Sequence, residues 1–155
     1  MRKVLIRQIG VLAWENSAET ELFHQAAANR NNLGVTDIKT ITILMLEGPM
    51  TAGSIANRLN LTTGAVTNII DRLLAKNLLN RTFDAKDKRK VIVVVNLEKC
   101  RTIRNVYRPI GRSFEKMLET YSTKELEILS RYHKSELKLI KFELARLNGA
   151  DFEKA

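Results

Sequence analysis

Apolar residues recur at steps of three and four over most of this chain, the signature of helices with one buried face. The stripe is clearest near the end, where Leu126, Leu129, His133, Leu137, Ile140, Leu144 and Leu147 line up along a helix over about 124–147. A helix over about 98–120 precedes it. At the other end, Ile9, Leu12, Ala13, Leu22 and Phe23 are among the apolar positions of a helix over about 8–30. Asn29-Arg30-Asn31-Asn32-Leu33-Gly34 breaks that helix, and Thr36 is a natural N-cap for the next. This second helix carries Ile38, Ile41, Leu44 and Met45 and stops at Gly48-Pro49. Two short helices follow, over about 52–59 and 63–76. The pattern then changes: Leu78 to Phe83 and Val91 to Val95 are β-prone runs flanking Asp84-Ala85-Lys86-Asp87-Lys88-Arg89-Lys90. That arrangement predicts a hairpin with a charged tip.

The expected fold class is therefore mainly α with a small β-hairpin wing. The expected organisation is an N-terminal dimerisation helix over 1–35, a reading domain over 36–97, and C-terminal dimerisation helices over 98–155. The terminal stripes suit either packing within one subunit or a partner helix. Two long helices flanking so small a domain are hard to bury in a monomer, which favours a homodimer.

Composition narrows the partners. At 155 residues the chain has the length of one ordinary domain, and its formal charge is +9. The pI near 9.9 makes a polyanion the natural partner, either nucleic acid or an anionic membrane surface. Cys100 is the single cysteine, so no internal disulfide is possible, as suits a reducing cytoplasmic setting. Met1-Arg2-Lys3-Val4-Leu5-Ile6 resembles the start of a signal peptide, but Arg7, Gln8 and Gly10 interrupt it. No run reaches the roughly 18 apolar residues of a membrane span, so a cytoplasmic protein with no membrane partner is expected.

Residues 52–71 carry the most information. A helix-turn-helix packs two short helices closely, and several positions fit it. Ile55 and Leu59 supply the apolar face of the first helix, and Ala56 is small where the second approaches. Asn60 begins the turn with a residue that tolerates positive φ, and Leu61, Val66 and Ile69 close the core from the other side. Thr62 is the expected N-cap of the second helix, whose amino end enters a major groove in such motifs. Thr63, Gly64, Thr67 and Asn68 lie on its first two turns, on the face opposite Val66, Ile69 and Ile70. Their short polar side chains suit base edges or phosphates, Gly64 permits close approach, and Arg72 is placed for a phosphate. Ser54, at the start of the first helix, completes the expected DNA-binding set on the helices. From Arg81 to Lys90 five basic residues face two acidic ones, a local net of +3. Directly after a helix-turn-helix, such a tip reads as a wing that straddles the backbone and offers Asp87, Lys88, Arg89 and Lys90 to DNA.

The arrangement resembles the MarR family of bacterial transcription regulators. The matching residues are Gly48-Pro49-Met50-Thr51-Ala52-Gly53-Ser54-Ile55-Ala56, Leu61-Thr-Thr-Gly-Ala-Val-Thr67, Asp71-Arg72-Leu73, the wing Asp87-Lys88-Arg89, and Tyr121-Ser-Thr-Lys-Glu-Leu126 opening the final helix. The resemblance implies a triangular homodimer with interlocked terminal helices and two winged domains. In the family's Asp-x-Arg wing the arginine reaches the minor groove and the aspartate positions the wing, roles that fall to Arg89 and Asp87. It further implies a pseudo-palindromic operator with half-sites ~34 Å apart, and a repressor relieved, in many relatives, by a small aromatic or anionic ligand. Asn77 stands where a glycine commonly ends the recognition helix, Ala85 where a wing proline is common, and Asn96 where threonine is frequent.

Other chemistry is thinly represented. His24 and His133 lie on separate helices, and there is no Cys/His metal spacing, phosphate-binding glycine loop or nucleophile elbow. Neither an enzyme nor a cofactor is expected. Trp14, His24 and Met45 are candidate lining for an effector pocket, though such residues are more often plain core. Cys100 lies after the wing, away from the first helix where oxidant-sensing relatives carry theirs, which makes it a packing or bystander residue. The competing reading is a winged helix that binds proteins rather than DNA.

Overall fold

The computed structural model describes residues 1–149 and contains six helices and one antiparallel hairpin among them. The elements are α1 (Arg2–Arg30), α2 (Val35–Glu47), α3 (Ala52–Leu59), α4 (Thr63–Ala75), β1 (Leu79–Phe83), β2 (Val91–Val95), α5 (Arg101–Leu118) and α6 (Thr123–Leu147). They fall into two compact units, Met1–Tyr107 and the segment from Arg108 onward.

In the first unit, one core fixes every element that matters for the site. Ile38, Ile41 and Leu44 of α2, Ile55 and Ala56 of α3, and Val66, Ile69, Ile70 and Leu73 of α4 are all buried together. Leu79 and Val93 bring the hairpin into the same core, and Cys100 and Ile103 bring in the start of α5. The helix-turn-helix and wing are thus positioned by one close-packed cluster, in which small shifts are costly. The hairpin register pairs Leu79 with Val95, Arg81 with Val93 and Phe83 with Val91. Met50, in the connection after α2, adds an isolated bridge to Val93, with N–H···O distances of 3.2 and 2.7 Å.

Loop chemistry accounts for the breaks. Asn32, Asn60 and Asn77 take left-handed backbone conformations at φ 51°, 53° and 58°, which asparagine tolerates better than most residues. Asn77 thereby does the work of the glycine that commonly stands at the end of the recognition helix. The Leu61 N–H donates to the Ala56 carbonyl at 3.0 Å to close the turn between α3 and α4.

Some sequence expectations are corrected. Helix α1 starts six residues before the expected position, at Arg2, because Val4, Leu5 and Ile6 extend its apolar pattern. Helix α2 is capped at Gly34 rather than Thr36: the Asp37 carboxylate accepts from the Gly34 N–H at 2.9 Å. Leu61 is 38 % exposed and sits at the rim, so its backbone rather than its side chain closes the turn. Asn96 has a use of its own, its side chain accepting from the Lys99 N–H at 3.3 Å before α5 begins.

In the second unit, α6 opens with a reciprocal cap. The Glu125 carboxylate accepts from the Ser122 N–H at 2.8 Å and the Ser122 hydroxyl accepts from the Glu125 N–H at 3.4 Å. The two Ser122 hydrogen bonds, the hydroxyl's first, hold the Glu125 carboxyl below its ordinary pKa. None of the α6 residues is buried.

Candidate nucleic-acid interface

The amino-terminal half of α4 is built to be seen. Thr62 caps it, its hydroxyl accepting from the Ala65 N–H at 3.2 Å. The first turn leaves backbone N–H groups without helical partners, and the helix dipole adds positive character there. Thr63, Gly64, Thr67 and Asn68 are all exposed, whereas Val66, Ile69, Ile70 and Leu73 of the opposite face are buried. The Thr67 hydroxyl donates to the Thr63 carbonyl at 2.9 Å, which leaves its lone pairs as the outward-facing function. A Cβ added at Gly64 would meet nothing within 4 Å. Gly64 is the second residue of the helix, so it keeps the surface of the first turn low without the cost of a glycine in the helix interior. On α3, Ser54 is exposed and within 2.9 Å of the Thr51 hydroxyl, the N-cap of that helix.

Arg72 is engaged elsewhere. Its guanidinium grips Asp37 of α2 in a two-pronged ion pair, at 2.5 Å and 3.2 Å, and Asp37 is only 1 % exposed. This hydrogen bond, the largest cause, raises the Arg72 pKa. The arginine therefore braces α4 against α2, with about half of its side chain left exposed. A second brace ties wing to helix: Arg81 of β1 reaches Asp71 of α4 at 2.7 Å.

The wing tip is ordered by its own carboxylates. Asp84 accepts from the backbone N–H groups of Lys86 and Asp87 at 2.8 and 2.9 Å, and these bonds, that from Asp87 foremost, hold its pKa below the ordinary value. The Asp84 N–H donates to the Lys90 carbonyl and the Lys90 N–H to that of Asp87, both at 2.9 Å, so the tip closes on itself. Asp87 accepts from the backbone N–H and the Nε of Arg89, each at 3.1 Å, and lies 3.9 Å from Lys90 Nζ. The Arg89 side chain is nonetheless 92 % exposed. Lys88 and Lys90 are exposed beside it. The sequence-derived set thus assembles on α3, α4 and the hairpin of one unit.

Sequence reasoning missed both braces and the part played by Asp84. A usable signal existed for the first: Asp37 interrupts the apolar spacing of α2, and a carboxylate there needs a cation.

The remaining candidates divide. His24 bonds the Tyr107 hydroxyl at 2.9 Å, and Phe23 packs edge-on to the same ring, joining α1 to α5. Trp14 is 84 % exposed and so lies outside the core of the single chain. Met45 lines a shallow groove of about 430 Å³ with Leu44, Pro49, Val94, Val95, Leu97 and Arg104. Cys100 is fully buried 3.6 Å from the Leu78 carbonyl, and burial pushes its thiol pKa up.

Two helices sharing one core with a basic antiparallel hairpin define the winged helix-turn-helix class of proteins. Within that class, the chain belongs to the MarR family: the family's model matches residues 33–91. An HTH-type transcriptional regulator of Bacillus subtilis, YcgE, is 36% identical over 128 residues, covering 83% of each chain. Solved structures have the same fold. A MarR family protein from Bacillus stearothermophilus aligns at a TM-score of 0.70 and 18% identity, over 91% of this chain and 99% of that one. A point mutant of MepR from a multidrug-resistant S. aureus clinical isolate gives 0.69 and 18% over 85% and 96%, and apo MarR from E. coli 0.58 and 18% over 83% and 95%. Family, fold and relative together support a DNA-binding regulator. No helix among the described residues is long and apolar enough to cross a membrane.

Proposed function

We propose that this protein is a homodimeric, sequence-specific reader of double-stranded DNA that represses transcription from a pseudo-palindromic operator in the cytoplasm. One observation carries the reading: the uncovered amino-terminal face of α4 and the Asp87-held Arg89 stand on elements locked to one core. In this assignment Ser54, Thr62, Thr63, Gly64, Thr67 and Asn68 meet the major groove, and Arg89 enters the minor groove with Lys88 and Lys90 on flanking phosphates. Asp87 orients Arg89, and Arg72 acts first as a brace, with phosphate contact secondary.

Residues 36–97 do the reading, while 1–35 and 98–155 dimerise. Support for this comes from the apolar side chains left exposed in one chain, such as Leu5, Ile9 and Leu12 on α1 and Leu137, Ile140 and Leu147 on α6. Relief by a small ligand is part of the proposal. The groove at Met45 and Pro49 is apolar with one guanidinium, from Arg104, which suits a small aromatic or anionic compound.

The test is a fluorescence-anisotropy titration of random-sequence and genomic-fragment duplexes at two salt concentrations, with wild type and Arg89→Ala. The expected result is preference for one fragment, steep weakening with salt, and a slope reduced by about one per substituted wing. A folded dimer that binds no duplex at low salt overturns the reading in favour of a protein partner.

A further inference from the structure

The wing carries an apolar pair for which the basic-tip description has no use. Phe83 and Val91 face one another across the hairpin, 65 % and 46 % exposed, at its last paired position before the tip. Side chains alternate faces along a strand and directly opposed residues share one. Phe83 and Val91 therefore belong to the same face as Leu79, Arg81, Val93 and Val95. Leu79 and Val93 on that face are buried in the core, and Arg81 is held by Asp71 of α4. Phe83 and Val91 are the next pair outward, beyond the end of the core on the side turned to α4.

The pair is bordered by Asp84 and Lys90 at one end and by Arg81, paired with Asp71, at the other, with the net positive tip beyond it. An exposed phenyl ring at the base of a net positive tip fits a polyanion that also offers hydrocarbon. The deoxyribose edges lining a minor groove supply that hydrocarbon between phosphates. The strand pairing and the Asp84 turn fix the backbone that carries the ring, so little backbone freedom remains to be lost on contact.

We infer that Phe83, backed by Val91, is a DNA-contacting residue that lays its ring against deoxyribose at the edge of the minor groove entered by Arg89. This rests on the DNA-binding reading above. The contact is apolar and reads no base edge, so it contributes to affinity for every duplex and releases no counterion.

The test compares wild type, Phe83→Ala, Phe83→Leu and Arg89→Ala on a random-sequence duplex and a duplex selected from it, at two salt concentrations. Circular dichroism and sedimentation verify that each variant is a folded dimer. Phe83→Ala is expected to weaken binding roughly tenfold per wing on both duplexes, the scale of one buried ring. Its slope against salt stays at the wild-type value, Phe83→Leu recovers part of the loss, and Arg89→Ala lowers the slope by about one per wing, about two for the dimer. Wild-type affinity for Phe83→Ala, with Arg89→Ala impaired, overturns the inference while leaving the DNA reading intact. A slope that falls with Phe83→Ala also overturns it, because the effect then runs through the neighbouring cations. Absence of binding by the wild type overturns the DNA reading itself.

Discussion

Replacing Arg72 with alanine separates two roles that one arginine on a recognition helix can play. Asp37 is buried and holds three donors: two from Arg72 and the Gly34 N–H. Removing Arg72 leaves a carboxylate in the core with one donor. Charge-assisted bonds each contribute about 1.5–3 kcal/mol, and breaking a fully buried pair costs about 3–5 kcal/mol. The guanidinium is 48 % exposed, however, so water already competes for it and can fill part of the gap. The net loss expected is about 2 kcal/mol, a large share of a typical ~5–15 kcal/mol stability. Arg72→Lys keeps the charge but not the fork, and loses about half as much.

The assay is urea unfolding followed by circular dichroism at fixed protomer concentration, since dimerisation would otherwise shift the midpoint. With a slope of about 2 kcal/mol/M, the Arg72→Ala midpoint drops by about 1 M. Asp37→Asn combined with Arg72→Ala is less destabilised than the sum of the two, because the uncompensated charge is gone. The slope of DNA affinity against salt stays near wild type. A wild-type midpoint, together with a salt slope lowered by about one per subunit, refutes the brace and makes Arg72 a phosphate contact.

Two further outcomes follow from the tip and the core. The Asp84 carboxyl is held below its ordinary pKa by the Asp87 and Lys86 N–H groups, so its support of the tip is complete above the ordinary value of about 3.9 and is lost as pH falls through the depressed one. Carbon-13 titration should place its midpoint below that ordinary value, and Asp84→Ala should speed amide exchange at Lys86 and Asp87; a midpoint that is ordinary or raised counts against the turn. Cys100, buried with its thiol pKa raised, should react with a thiol reagent roughly a thousandfold more slowly in the native state than in urea, and fast native modification refutes its role as core.

What the sequence made legible follows the range of the interactions. The turn at Asn60, the cap at Thr62 and the divided faces of α4 are set within a few residues, and spacing alone located them. The Asp87–Arg89 pair is local too, two residues apart. Asp37 and Arg72 are 35 residues apart, and Arg81 and Asp71 ten, so their pairing depends on how helices and hairpin pack. Thr36 failed as a cap for the opposite reason: two local solutions competed, and Asp37 reaching back to Gly34 prevailed, its position secured by Arg72.

The same distinction bears on the terminal helices. Their apolar stripes are evident in the sequence, yet no α6 residue is fully buried within one chain and Trp14 stands in the open. Hydrophobic area left bare at this scale stabilises nothing until a partner covers it. If that partner is a second copy, two-fold symmetry sets the distance between the recognition helices, and with it the spacing of operator half-sites. The ligand proposed for the groove lined by Met45 and Arg104 would then need no contact with DNA to weaken binding. In the proposed relief, a small shift of α2 would be passed to α4 through the Asp37–Arg72 ion pair that ties the two helices.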